Sequence, residues 1–228
     1  MKIFKLFLAA AILCCILNAC KKSYTIGGSL FKAEVNMTTY DYLKTNPLFD
    51  TLVLMIDRAG LKDELNQAGT FFAVTDYTIN RFVQLRADSV RLYHNDENYP
   101  YNIDSLNIPS LRDTLRSYMF HDKMNRDNIP TRGLYRKANN GDMRLIQLLA
   151  SSDYTNSNVF ITDPKYVYLT KIIPWNGHPV PADSTTLSDV VPEQLRSTLC
   201  QTSGIITTTG ILHVLNNQHF FNYYQDNN

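Results

Sequence analysis

Tryptophan, cysteine and surplus charge are all scarce in this 228-residue chain. There is one tryptophan, Trp175, and three of the four cysteines fall within the first 20 residues. Lys and Arg number 22 against 21 Asp and Glu. Binding to nucleic acid wants a clustered basic surplus, so no nucleic-acid partner is expected. Glycine and proline, at nine each, are too few for a collagen-like or low-complexity chain. No Gly-x-Ser-x-Gly elbow and no glycine-rich phosphate loop occurs, which removes the commonest sequence signs of a serine hydrolase or a nucleotide site. What is present is globular in proportion: 44% hydrophobic, 19% charged, with 14 tyrosines.

The amino terminus reads as a targeting segment. Lys2 and Lys5 precede an uncharged, largely apolar run, Leu6 to Leu17, of 12 residues. A membrane-spanning helix needs ~20, so a short apolar core behind positive charge reads as a secretory signal. The run ends on Leu17-Asn18-Ala19-Cys20, which resembles a bacterial lipobox. That resemblance implies a signal peptide over 1–19, cleavage before Cys20, lipid attachment to its sulfur and a membrane anchor, with the outer membrane as the expected site. Several acyl chains at ~0.8 kcal/mol per buried CH₂ hold a protein stably. Ordinary cleavage at a nearby small residue would instead leave Cys20 a free thiol. In the lipidated reading Cys200 is alone, no intrachain disulfide forms, and the fold rests on its core.

Residues 20–37 are polar and glycine-containing, as a tether would be. Thr38 or Thr39 suits a helix N-cap, and Asn46-Pro47 opens a second helix in which Leu48, Leu52, Met55, Ile56 and Ala59 share a face up to Gly60. One more turn follows to Leu65, then a β-rich run from Thr70 to Val74. Asp76 is placed to cap a helix through Leu85. Residues 86–108 turn polar and broken, as an inserted solvated loop would, before a helix from Ser110. Strands are expected at Leu134–Lys137, Arg144–Leu149, Asn158–Thr162 and Tyr166–Ile173, with Asn139-Asn140-Gly141-Asp142 as a hairpin turn. A second insertion covers 174–199, with a short helical piece ending near Cys200. Ile205–Thr208 and Ile211–Leu215 read as the closing strand pair. Early helices followed by many strands argue for an α+β fold, helices packed on a β-rich wedge or sandwich.

Four stretches resemble the fasciclin family. Thr39-Tyr40-Asp41-Tyr42-Leu43 with the helix ending at Gly60-Leu61 is similar to its opening. Gly69-Thr70-Phe71-Phe72-Ala73-Val74-Thr75-Asp76 resembles its first signature, with Val74 where the family has Pro. Leu115 to His121 resembles the helix bearing a Tyr-His pair, with Phe120 at the Tyr position. Thr209-Gly210-Ile211-Leu212-His213-Val214-Leu215 resembles the second signature, with Thr209 in place of Asn. The resemblance implies a single fasciclin-like domain over 38–224 and a role in cell-surface adhesion, with protein or glycan partners.

The signature residues also have structural readings. Asp76 suits a cap, His121 a buried histidine bonded to backbone, and Gly210 a turn with positive φ. His213 should face away from Leu212 and Val214 and pair with backbone or with Asp76.

Chemistry is thinly signalled. His94-Asn95-Asp96-Glu97 has donors a metal would accept but no second cluster at fixed spacing. Asp63-Glu64 and Asp96-Glu97 are adjacent pairs whose side chains diverge. No catalytic residue, metal or cofactor is therefore expected. Tyr93, Tyr99, Tyr101 and Trp175 lie in the two insertions, where flat rings with polar edges suit partner contact. The expectation is a non-enzymatic adhesion or ligand-binding module. The alternatives are an accessory subunit of an outer-membrane glycan-uptake assembly, or a metal-dependent hydrolase built on His94, Asp96, Glu97 or His121.

Overall fold

Local capping sets the order of the amino-terminal half. The computed structural model describes residues 34–151 and 164–222. Cys20, the expected strand Asn158–Thr162, and Tyr223 and Tyr224 lie outside the described residues. Helix α1 (Thr39–Lys44) is capped by Thr38, whose hydroxyl accepts from the Asp41 N–H. Asn46 caps the 3₁₀ turn Pro47–Phe49, which runs into α2 (Asp50–Ala59). On α2, Leu52, Met55, Ile56 and Ala59 are buried at helical spacing, and Gly60 closes it in the left-handed region at φ 63°. Helix α3 (Lys62–Gln67) leads to β1 (Thr70–Ala73), all four residues buried.

Helix α4 spans Asp76–His94 and α5 spans Ile108–Arg116. The inserted loop expected over 86–108 is thus half helix: α4 continues nine residues past 85 and stops at Asn95, φ 49°. The next helix begins earlier than Ser110, because Asn107 accepts from the Ser110 N–H and places Pro109 in the first turn. Strands β2 (Met119–Phe120), β3 (Leu134–Lys137), β4 (Met143–Ala150), β5 (Lys165–Ile172), β6 (Leu195–Ile206) and β7 (Ile211–Leu215) follow. They join β1 in a seven-stranded sheet ordered β2-β1-β7-β6-β5-β4-β3, antiparallel except for β1 beside β7. The architecture is α+β.

The second insertion is shorter than expected. Residues 195–199, expected to belong to a short helical piece ending near Cys200, are strand, because they pair with β5 from Ile172↔Leu195 to Tyr168↔Leu199. Beyond Cys200 the same strand pairs with β7 through two register shifts, and Gly204 at φ 79° lets it bend. Residues 173–194 fold back onto the sheet. Leu187 and Val190 pack on Tyr135, Leu145 and Ile172, and the fully buried Gln194 donates to the carbonyls of Ile173, His178 and Pro179. The main core lies on the opposite face, where Ile146, Val167, Leu169 and Cys200 meet the helices.

Candidate functional site

The two signature stretches are neighbours in space. Strands β1 and β7 run parallel in the register Thr70↔Ile211, Phe71↔Leu212, Phe72↔His213 and Ala73↔Val214. Gly69 and Gly210 stand at the head of this seam. A Cβ on Gly69 would lie 2.1 Å from the His121 carbonyl oxygen, and one on Gly210 would lie 2.5 Å from that of Ala68. Gly210 therefore serves close approach of backbones, not the positive φ expected of it, for its φ lies outside the left-handed region.

Three of the polar signature residues, Asp76, Thr209 and His213, are committed to the fold. Asp76 does not cap its own helix. Its carboxylate accepts from the Thr51 N–H (3.0 and 2.9 Å) and the Leu52 N–H (3.2 Å), so it caps α2, whose own N-cap position, Phe49, offers no side-chain acceptor. Sequence reasoning had no access to this cap, since acceptor and donors are 25 residues apart. Thr209 accepts from the Thr39 N–H at 3.0 Å, and Thr39 and Thr207 share a hydroxyl bond at 2.8 Å. These bonds tie the start of α1 to the turn before β7.

His213 is fully buried and stacks on Phe72 with ring centroids 4.9 Å apart. Its Nε2–H donates to the Met124 carbonyl at 2.8 Å, and its Nδ1 accepts from the Gly204 N–H at 3.3 Å. Backbone, not Asp76, is its partner. Burial pulls its pKa down to about 4, opposed in part by the Met124 bond. The expected alternation in facing gives no polar side to the strand, because all five residues of β7 are buried.

His121, expected in the core, is exposed. The buried histidine on this side is His219, which no motif singled out; its only sequence sign is the flanking Phe220-Phe221. Tyr118 Oη accepts from the Asn222 N–H at 3.1 Å and shares a hydrogen bond with His219 Nε2 at 2.7 Å. Its Nδ1 shares a second hydrogen bond with Thr198 Oγ1 at 2.9 Å. Burial first, then the charges of Arg81 and Arg144, hold His219 down at about 3. Asp76, His121 and His213 thus have separate surroundings.

The exposed aromatic surface sits at the far end of α4. A Schellman-type stop, with the Asp96 N–H donating to the Arg91 carbonyl at 3.1 Å, turns the chain back. Tyr99 then stacks on His94 at 3.9 Å, the rings 2° from parallel, and Tyr93 meets His94 edge-on at 5.2 Å. Tyr93 is 85% exposed and the adjacent Leu92 is 82% exposed. Of the four aromatic candidates, Tyr93 and Tyr99 are brought together here around His94. Tyr101 is elsewhere, half-buried in the wall of a cavity between α4 and α5. Trp175 is 47% exposed on a tight hairpin, Trp175 paired with His178 through Asn176 (φ 40°) and Gly177 (φ 85°), the two positive φ values of a type I′ turn.

Among the described residues, no group of three or more His, Cys, Asp or Glu is placed to hold a metal ion. No helix among the described residues is long and apolar enough to cross a membrane. No protein-family model matches the chain, and no curated protein matches it in sequence.

Proposed function

We propose that the chain is a non-enzymatic module of fasciclin-like type, lipid-anchored through Cys20 in the cell envelope, that binds a protein or glycan partner through exposed aromatic side chains. The observation that carries the reading is the exposure of Leu92 and Tyr93 beside the stacked His94 and Tyr99 at the tip of α4. A solvent-facing tyrosine next to a leucine supplies flat apolar area with a polar edge, the composition of an interface anchor. Trp175, on its own hairpin, is a second contact of the same chemistry. The fasciclin assignment is supported by the order of the two signatures and by their meeting as parallel neighbours. The non-enzymatic reading is supported by the roles of Asp76, Thr209 and His213, whose polar atoms bond backbone.

The test is a glycan array and an envelope-protein cross-linking screen run with the chain and its Tyr93→Ala, Tyr99→Ala and Trp175→Ala variants. Binding that weakens in the variants while melting temperature holds supports the reading. A variant that melts many degrees lower yet still binds marks that residue as structural. The anchor has its own test: Cys20→Ser is expected to move the protein from the membrane to the soluble fraction, and unchanged retention contradicts the anchor.

A further inference from the structure

Asn-Gly occurs twice in the chain, at Asn140-Gly141 and Asn176-Gly177. In this dipeptide the backbone nitrogen of the second residue can attack the side-chain carbonyl carbon of the first, because glycine has no Cβ to crowd the approach. The attack closes a five-membered ring and expels ammonia. Both pairs sit in tight turns, with their glycines at positive φ, 97° and 85°. Both glycines have open space around them, since a Cβ on either would meet nothing within 4 Å. Sequence and crowding therefore treat the two sites alike.

Hydrogen bonding does not. At the first turn both reacting groups are occupied. The Gly141 N–H donates to the Ala138 carbonyl at 2.9 Å, and Asn140 Oδ1 accepts from the Asp142 N–H at 3.1 Å. Ring closure needs the amide nitrogen released and the carboxamide turned back onto it, so both bonds must break. At the second turn neither group is held. Trp175 and His178 exchange the two backbone bonds of the hairpin, at 3.1 and 2.7 Å. The Gly177 N–H and the Asn176 carboxamide have no hydrogen-bond partner among the described residues. Asn176 and Gly177 are both exposed, so water reaches them.

We propose that Asn176 is a modification site, deamidating spontaneously to aspartate and isoaspartate, while the turn around Asn140 protects that residue. The Gly177 nitrogen bonds to Asn176 Cγ, the Cγ–Nδ2 bond breaks, and Nδ2 takes the Gly177 proton and leaves as ammonia. The succinimide so formed then adds one water, opening at either carbonyl. Opening at one gives aspartate. Opening at the other gives isoaspartate, which lengthens the main chain by one carbon. Loop length selects the turn type, so the lengthened loop no longer fits the two-residue turn, and Trp175 loses its pairing with His178. The chemistry rests on the turn alone and not on the partner contact proposed for Trp175.

Incubation of the full chain in mildly alkaline buffer tests it, read by peptide mapping with fragmentation that separates aspartate from isoaspartate. Conversion at Asn176 is expected to outrun conversion at Asn140 by roughly 25-fold, two hydrogen bonds at about fivefold each. The same incubation in urea, where neither turn persists, should bring the two sites to comparable rates. Trp175 is the single tryptophan, so acrylamide quenching of its fluorescence reports the hairpin directly and should rise in step with isoaspartate at 176. Equal conversion of the two asparagines in the folded chain overturns the proposal, as does an Asn176 that stays intact when folded yet converts in urea. A difference between the sites that persists in urea also overturns it, because the turns would then play no part. Quenching that holds its starting value while isoaspartate accumulates contradicts the loss of pairing.

Discussion

The β1–β7 seam and the tip of α4 treat the same kinds of residue in opposite ways. At the seam, histidine, threonine and aromatic rings are buried, each polar atom bonded to backbone or to another hydroxyl, and two glycines let three stretches of main chain approach within van der Waals contact. At the tip, a tyrosine, a histidine and a leucine are left in solvent, ordered by one ring stack and a helix stop. The lesson is that a polar residue inside a signature is weak ground for chemistry when its partners are amide groups. An apolar residue held out in water by an ordered turn is better ground for binding. Burial at the seam buys stability, and exposure at the tip leaves area to be covered by a partner.

Substitutions can break this contrast in a graded order. Gly69→Ala or Gly210→Ala forces a methyl against a carbonyl oxygen and should cost at least about 3 kcal/mol, read as a lower urea midpoint. Asp76→Ala strips the cap from α2 and should cost about 2 kcal/mol, with Asp76→Asn recovering part of the loss because an amide oxygen still accepts. Acid should act next, on the two buried histidines. His213 and His219 are held below their unfolded value of 6.5. Their contribution is therefore complete above pH 6.5 and is lost as pH falls through about 4 for His213 and about 3 for His219, because below 6.5 the unfolded chain binds protons that the folded chain refuses. Unfolding free energy measured at pH 7, 6 and 5 should fall by up to about 1.4 kcal/mol per unit for each histidine. Glu64, lowered chiefly by its bidentate Arg116 bond, acts only below its ordinary value of 4.5, so its loss comes later in the titration. At the tip, Tyr93→Ala should change stability by no more than about 0.5 kcal/mol.

Local signals were legible. The Thr38 and Asn46 caps, the Gly60 stop, β3 to the residue and the Asn139–Asp142 turn all follow from short-range chemistry. Non-local roles were not. Asp76 reaches across to a helix 25 residues earlier, and Gly210 is explained by the carbonyls of Ala68 and Gly69. The outer half of α4 carries Asp88, Arg91 and His94 with little burial, so its polarity imitates a loop. The short helical piece expected to end near Cys200 is strand, because pairing with β5 is a non-local contact that overrides local preference. Tyr93 and Trp175 were visible as aromatics in polar surroundings. Tyr101 looked the same, and only the cavity distinguishes it.

Adhesion of beads coated with the chain to intact cells of the producing species, set against melting temperature, separates the two regions most directly. Beads carrying Tyr93→Ala should attach at least tenfold less than the parent at an unchanged melting temperature, the loss of a strong anchor residue. Attachment at parental levels by Tyr93→Ala would contradict the account and return the tip of α4 to the status of an ordinary solvated helix end.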